Sequence, residues 1–487
     1  MKPGQSRSAT GRETLEKFTF EPGSFRDRNG RVFYVEQATY RALSEPAYIA
    51  WQALSATRFY SHYTDSGKII HTERVDKERL NGAARYTEGW AAFLQHQTVP
   101  YISYPYEWSF SMLQDAALLH LELMIAALDE GMILKDSSAY NIQWLGVRPV
   151  FIDIPSFEVL PPGEPCVGYR QFCQLFLYPL FLQAYKDVGF HPWLRGSIDG
   201  IDPVQINNLM SVRDRLRPGV FTNVYLQARM QAGFGSLNTD VKAELRQAGF
   251  SKQMIVANIK RMQKLVKSLQ WKARESQWSA YTETHSYSDA DQEHKAGFVR
   301  DAAAQRNWTR VWDIGCNTGR FSRIAARHAD NVVAMDSDQL CIDFLYEELK
   351  KEGIHNILPL CINMADASPA LGWRGLERKS LTGRGKPDLV LCLALIHHIV
   401  IGANIPLLEY VEWLASLGAA LIIEFVSKDD AMVKTLLRNR IDQYEDYDPH
   451  RFRVYLESVF TIEEHKVLDS GTRELYYATP KAGKAGS

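Results

Sequence analysis

The chain has 487 residues, more than one hydrophobic core accommodates, so two or three domains are expected. Hydrophobic residues make up 46% and charged residues 23%, which excludes a disordered or fibrous chain. A net charge of −1 excludes whole-chain attraction to nucleic acid or an anionic membrane and gives no strong nucleic-acid signal, although a local basic patch stays open.

The start, MKPGQSRSATGRETLEKF, carries no apolar core segment, so no secretory signal is expected. Residues 1–20 and the end, PKAGKAGS, read as disordered tails. No apolar run reaches the roughly 18–20 residues of a membrane span. The nearest is LVLCLALIHHIVIG (389–402), which holds two histidines. Cysteines stand at 166, 173, 316, 341, 361 and 392 without a Cys-x-x-Cys pair. That pattern suits reduced thiols in a cytoplasm rather than disulfides or a zinc site, and no resident metal is expected.

Residues 21–250 read as an N-terminal α+β accessory domain. GRVFYV and GKIIHTERV predict short strands, and PAYIAWQALSATRFYSHY predicts a helix. WSFSMLQDAALLHLELMIAALDEG (108–131) predicts an amphipathic helix ending on Gly131. IQWL and PVFIDI predict a strand pair, and GYRQFCQLFLYPLFLQAYKDV a buried helix interrupted by proline.

In LKDSSAYNIQWLGVRPVFIDIPSFE (134–158), Asp136 and Asn141 have the spacing Asp-x-x-x-x-Asn, and Asp153 ends a following strand. This stretch resembles the catalytic loop and magnesium-binding Asp of protein kinases. The resemblance implies a kinase-like scaffold in which Asn141 and Asp153 would hold magnesium on ATP. Ile154-Pro155 replaces Phe-Gly, Leu134-Lys135 replaces His-Arg, and no glycine-rich phosphate loop is present. Two readings therefore stay open: a degenerate kinase-like scaffold, or a helical substrate or interaction domain.

Residues 251–285 read as a connector. Ile255, Ile259, Met262, Val266 and Leu269 form one helical stripe, with Lys260, Arg261, Lys264 and Lys267 on the other face. The basic face suits solvent or, less simply, an anionic partner. A polar segment with Tyr281 and Tyr287 follows, and these tyrosines are candidates to fold over a ligand.

Residues 286–480 alternate strand-like runs (TRVWDI, NVVAMD, NILPLC, PDLVLCLAL, AALIIEFV) with helical patterns, the mark of an α/β parallel sheet. The first run ends in Asp313-Ile314-Gly315-Cys316-Asn317-Thr318-Gly319. This is neither the dinucleotide nor the P-loop fingerprint. An acid before the first glycine repels pyrophosphate but suits a ligand with an amino group and a sulfonium. Asp336 ends the second strand, where a carboxylate accepts ribose hydroxyls. Asp366 follows the third, placed for an exocyclic amine.

These residues resemble the class I S-adenosylmethionine-dependent methyltransferases. The resemblance implies a Rossmann-like sheet of seven strands ending in FTIEEHKVLDSGTRELYYATP as an antiparallel hairpin. It implies S-adenosylmethionine as cofactor, held by Asp313, Gly315, Cys316, Asn317 and Gly319 around the methionine part, Asp336 at ribose and Asp366 at adenine. Asn317 replaces a frequent glycine and tolerates a left-handed backbone. His397 or His398, after the fourth strand, is the candidate acceptor-side base, with an ordinary pKa near neutrality. Glu424, ending the fifth strand, is the second candidate. The order of the halves resembles bacterial methyltransferases related to rhizobial nodulation proteins. The acceptor stays unidentified. Two alternatives remain: a bifunctional protein that also binds ATP through its N-terminal domain, and a cofactor-binding regulator without turnover.

Overall fold

The computed structural model describes residues 18–77, 80, 88–160, 168–234, 252–272, 289–438 and 441–481. Most of both expected tails, Cys166, Tyr281 and Tyr287 lie outside these residues. The chain divides into two compact units, Met1–Thr98 and Val99–Ser487, so the boundary expected between 250 and 285 falls inside the second.

In the first unit an antiparallel sheet joins β1 (Phe18–Phe20), β2 (Gly30–Val35), β3 (Ala38–Leu43), β4 (Thr72–Val75) and β5 (Ala92–His96) in the order β1-β2-β3-β5-β4. Residues 18–20, expected to be tail, are recruited because Phe18 and Phe20 pack on a core of Phe33, Ala42, Val75 and Phe93. Two helices separate β3 from β4: α1 (Glu45–Ser55) and α2 (Arg58–Asp65). One helix was expected there. The break comes at Thr57, whose hydroxyl accepts the Tyr60 N–H (3.1 Å) and caps the second helix.

The second unit begins with α3 (Phe110–Asp129), capped by Ser109 and followed by Gly131 at φ +77°. With a mean hydropathy of 1.3 over 18 residues, α3 is long and apolar enough to cross a membrane, although Gln114, Asp115 and Glu122 interrupt its apolar run. Twelve of its 20 residues are buried, so it is a core helix. Next come β6 (Met132–Leu134), β7 (Ile142–Leu145), β8 (Arg148–Phe151) and β9 (Phe157–Val159); β6 pairs with β9 and β7 with β8. The proline-interrupted helix is continuous from Tyr169 to Lys186 because a π turn at Cys173–Leu177 precedes Pro179. Helix Lys252–Ser268 lays its apolar stripe on α3, and Gln114 donates to the carbonyls of Val266 and Leu269 (2.7 and 3.0 Å).

The remaining strands are β10 (Trp308–Ile314), β11 (Ala329–Asp336), β12 (Ile357–Cys361), β13 (Leu389–Cys392), β14 (Ala420–Val426), β15 (Phe460–Val467) and β16 (Arg473–Pro480). They form one mixed sheet, β12-β11-β10-β13-β14-β16-β15, parallel from β12 to β14 and antiparallel at β16. Connections leave β10 toward β12 and then return to its other side, so the strand order reverses at β10. Ligands of open α/β sheets bind at the carboxyl ends beside such a reversal.

A buried ion pair ties the start of this unit to the segment before β13. Glu107 receives both terminal nitrogens of Arg384 at 2.7 Å, and also the Tyr104 N–H and the Ser368 hydroxyl. Tyr101 and Tyr104 flank the guanidinium at 5.0 and 4.9 Å. Arg384→Ala should lower stability by about 3–5 kcal/mol, because it leaves a carboxylate buried without its cation. Urea denaturation against the parent checks this, and an unchanged midpoint would contradict it.

Candidate active site

A cavity of about 480 Å³ opens at the carboxyl ends of β10 to β13. Its floor is the turn after β10. Gly315 takes φ +77°, Asn317 φ +49° and Gly319 φ +77°. The three left-handed residues aim the Asn317 N–H at Asp336 Oδ2 (2.8 Å), while Asp336 Oδ1 accepts the Asp338 N–H (2.9 Å). The Asn317 side chain in turn accepts the Thr318 N–H (2.7 Å). The two glycines serve different ends. Gly315 lines the cavity, and a Cβ there would touch Leu395 at 3.2 Å; at Gly319 a Cβ would lie 2.5 Å from Leu345, on helix Gln339–Glu352.

Of the expected site residues, Gly315, Cys316, Asn317, Asp336, His397 and His398 line this one cavity. Three do not. Asp313 is 2% exposed behind the turn and accepts the Ser322 hydroxyl at 2.5 Å, so it anchors helix Arg320–Ala325 from below. Asp366 points outward: its side chain is 71% exposed and takes a two-pronged pair from Arg195 (3.0 Å each). Asn363, Met364 and Ala365 line the wall where Asp366 was expected. Glu424 is fully buried, holding Lys295 Nζ at 2.6 Å and Arg473 Nη1 at 3.2 Å. Both oxygens are committed to cations, so Glu424 faces them rather than an acceptor.

Lys295 and Arg473 do line the cavity, and sequence reasoning missed both. Lys295 lies on helix Asp289–Ala303, outside every strand-end motif, and Arg473 opens β16, where it also bonds Asp430 (2.8 Å). Ala394 is another omission: it lines the cavity at φ +53°, a strained value for alanine that no sequence signal announces.

His397 is 2% exposed, and its Nδ1 is buried without a hydrogen-bond partner. Burial holds its pKa well below the usual 6.5, and the neighbouring His398, Arg473 and Lys295 push the same way. Burial brings His398 down to about 4, and the two rings lie 4.1 Å apart. Both imidazoles are therefore neutral at pH 7, which corrects the expectation of a group titrating near neutrality. Asp336 is raised, mainly by burial, against backbone N–H bonds, that of Asp338 first, which lower it. Among the described residues no group of three or more His, Cys, Asp or Glu side chains is placed to hold a metal.

Burial raises Asp313 to about 6, above its value in an unfolded chain. The folded state thus holds that proton more tightly. The resulting penalty is absent below about pH 4, grows as pH rises, and is complete above about pH 6. Asp313→Asn should therefore gain about 2–3 kcal/mol relative to the parent between pH 4 and pH 7. Denaturation at each pH measures that difference; a difference constant across the range would contradict it.

No family model matches the chain. The nodulation protein NoeA of Rhizobium meliloti (strain 1021) is 31% identical over 456 residues, covering 93% of this chain and 94% of that one. Among solved structures, the N-methyltransferase NodS of Bradyrhizobium japonicum WM9 with S-adenosylhomocysteine gives a TM-score of 0.30 at 13% identity, over 43% of this chain and 94% of that chain. Magnesium protoporphyrin IX methyltransferase of Synechocystis PCC 6803 gives 0.29 at 19%, over 39% and 83%. Neither structural likeness bears on what this chain binds.

Proposed function

The chain belongs to the family of the nodulation protein NoeA, and from the geometry of its cavity we propose that it is an S-adenosylmethionine-dependent methyltransferase. Asp336 carries the reading. Its carboxylate ends β11 inside the cavity, fixed by two backbone N–H groups. A carboxylate has about four acceptor sites, so two remain for a pair of ribose hydroxyls. Ile362, Met364, Leu393 and Leu395 supply the apolar faces that a purine requires, and a volume of 480 Å³ suits a ligand of nucleoside size or larger.

S-adenosylmethionine would supply an activated methyl group. The chain's own residues do the rest. The turn Gly315–Asn317 would present backbone close to the ligand, at angles that glycine and asparagine adopt more readily than most residues. His397 and His398 line the same cavity, and a neutral imidazole takes a proton from a hydroxyl or amine acceptor. Lys295 and Arg473, fixed by Glu424 and Asp430, shape the wall next to His397.

Asp336→Ala should weaken S-adenosylmethionine binding by about 1.5–3 kcal/mol in calorimetric titration, the scale of lost charge-assisted hydrogen bonds. A folded variant that binds as tightly as the parent would sink the proposal. His397→Ala should keep that affinity and slow transfer to a labelled acceptor fraction by about 10²–10⁴. In the parent, no ionisation of His397 should shape the rate between pH 6 and 8. Tight binding without transfer to any fraction would favour the regulator instead.

A second reading concerns residues 21–250. We propose that they keep a kinase-like scaffold without phosphotransfer. Two helices between β3 and β4, the β6–β9 pair, the β7–β8 hairpin, and Asn141 and Asp153 flanking that hairpin support the scaffold. Ser156 bonds both Asn141 and Asp153, and β3 carries Arg41 but no lysine, which supports the loss. Magnesium-dependent ATP hydrolysis should stay at background. Hydrolysis abolished by Asp153→Ala would overturn this.

A further inference from the structure

The largest concentration of exposed apolar side chains lies far from the cavity in sequence. Of the seventeen large hydrophobic residues exposed among the described residues, seven fall within 204–230. Val212 is 75% exposed and Leu216 90%, one helical turn apart on either side of Arg213 and Arg215. Phe221, Leu226 and Met230 continue the exposure along the π turn Phe221–Tyr225 and helix Leu226–Phe234. The pieces are contiguous: Arg215 covers the Tyr225 ring at 4.3 Å, and Tyr225 stacks on Phe221 at 5.4 Å.

The charges around this patch are mostly cationic; Asp202, at its rim, pairs with Arg170 (3.8 Å) and accepts from Gln231 (3.1 Å). Arg213 and Arg229 are exposed. Asp214 is buried and already spent on Lys186 (2.8 Å) and Arg217 (3.2 Å). The neighbouring helix Lys252–Ser268 reaches the patch where Leu265 abuts Gly219, and its outward face carries Lys260, Arg261, Lys264 and Lys267. The whole chain has a net charge of −1, so this concentration is local.

We propose that the face formed by residues 212–230 and the basic side of helix Lys252–Ser268 docks on an anionic phospholipid surface. Exposed leucine, valine and phenylalanine ringed by arginine and lysine is the chemistry of an interfacial contact: apolar tips enter the headgroup boundary while cations meet lipid phosphates. Nucleic acid would use the cations and aromatic rings but has no use for Val212 and Leu216. The contact is peripheral and requires no spanning helix.

The test is cosedimentation of the full-length protein with vesicles of 70% phosphatidylcholine and 30% phosphatidylglycerol, against pure phosphatidylcholine. Binding should need the anionic lipid and fall when salt is raised to about 0.5 M, where screening shortens to a few ångströms. Arg213→Ala and Arg229→Ala should each weaken partitioning about five-fold. Val212→Asn with Leu216→Asn should weaken it at least as much. Because both residues project into solvent, the thermal midpoint should not move. Absence of binding to the anionic vesicles would overturn the proposal, as would equal binding to pure phosphatidylcholine or double-variant binding equal to the parent's. Retention on single-stranded RNA that competes with vesicles would reassign the face to nucleic acid. Dimerisation in solution lost in the double variant would reassign it to a second copy of the chain.

Discussion

One hydrogen bond sets the shape of the site: the Asn317 N–H to the Asp336 carboxylate, 2.8 Å. It forms only if the backbone turns left-handed at residue 317, between two glycines that do the same. The Gly315 and Cys316 N–H groups then reach the Met335 carbonyl (2.8 and 3.0 Å), so the turn after β10 is stitched to the end of β11. The cavity is what remains in front of that stitch. A β-branched residue at 317 would resist the required φ, and a side chain at 319 would meet Leu345. The loop is thus restricted by its own bonding as much as by any ligand.

The opposite wall depends on charge. Lys295, Glu424, Arg473 and Asp430 form a chain of four buried charges, two of each sign. A buried pair is tolerated when its partners and remaining bonds are in place, and here helix Asp289–Ala303, β14, β16 and the segment before Ala431 each contribute one member. The chain adds no net charge to the wall. Its two cations and the shortage of water keep His397 neutral, with Nδ1 unbonded. The burial and cations that keep this histidine neutral also disfavour the imidazolium that accepting a proton would form, so they weaken it as a base.

Local signals in the sequence survive in the structure, and long-range ones had no trace there. The alternation of apolar runs gave away the parallel sheet because period-2 and period-3.6 patterns report burial directly. The turn at 313–319 and the acid at 336 were legible because strand, glycine and acid follow one another within a few residues. Asp366 was misread because Arg195, 171 positions earlier, draws its carboxylate outward. Glu424 was misread for the same reason, since Lys295 and Arg473 are remote in sequence. Asp313 was placed correctly at a strand end, but the face on which its side chain lies depends on Ser322 and on helix packing.

The boundary expected at 251–285 shows how a polar linker can mislead about cores. On α3 and at its start, Asp115 and Ser111 bond helix Gln339–Glu352: Ser111 to Asp343 through both N–H and hydroxyl, Asp115 to Tyr346 and Lys350. Trp144 of β7 packs edge-on to Tyr346 at 5.5 Å, and Glu107 holds Arg384. Apolar stripes and capping residues identify helices, but they do not say which helices share a core. Here α3 buries one side against helix Lys252–Ser268 and meets the helix after β11 on another. The helix that follows Asp336 therefore rests on the N-terminal half of its unit. Changes in that half should be felt first at Asp336, because Asp338, which caps this helix, also donates its N–H to the Asp336 carboxylate.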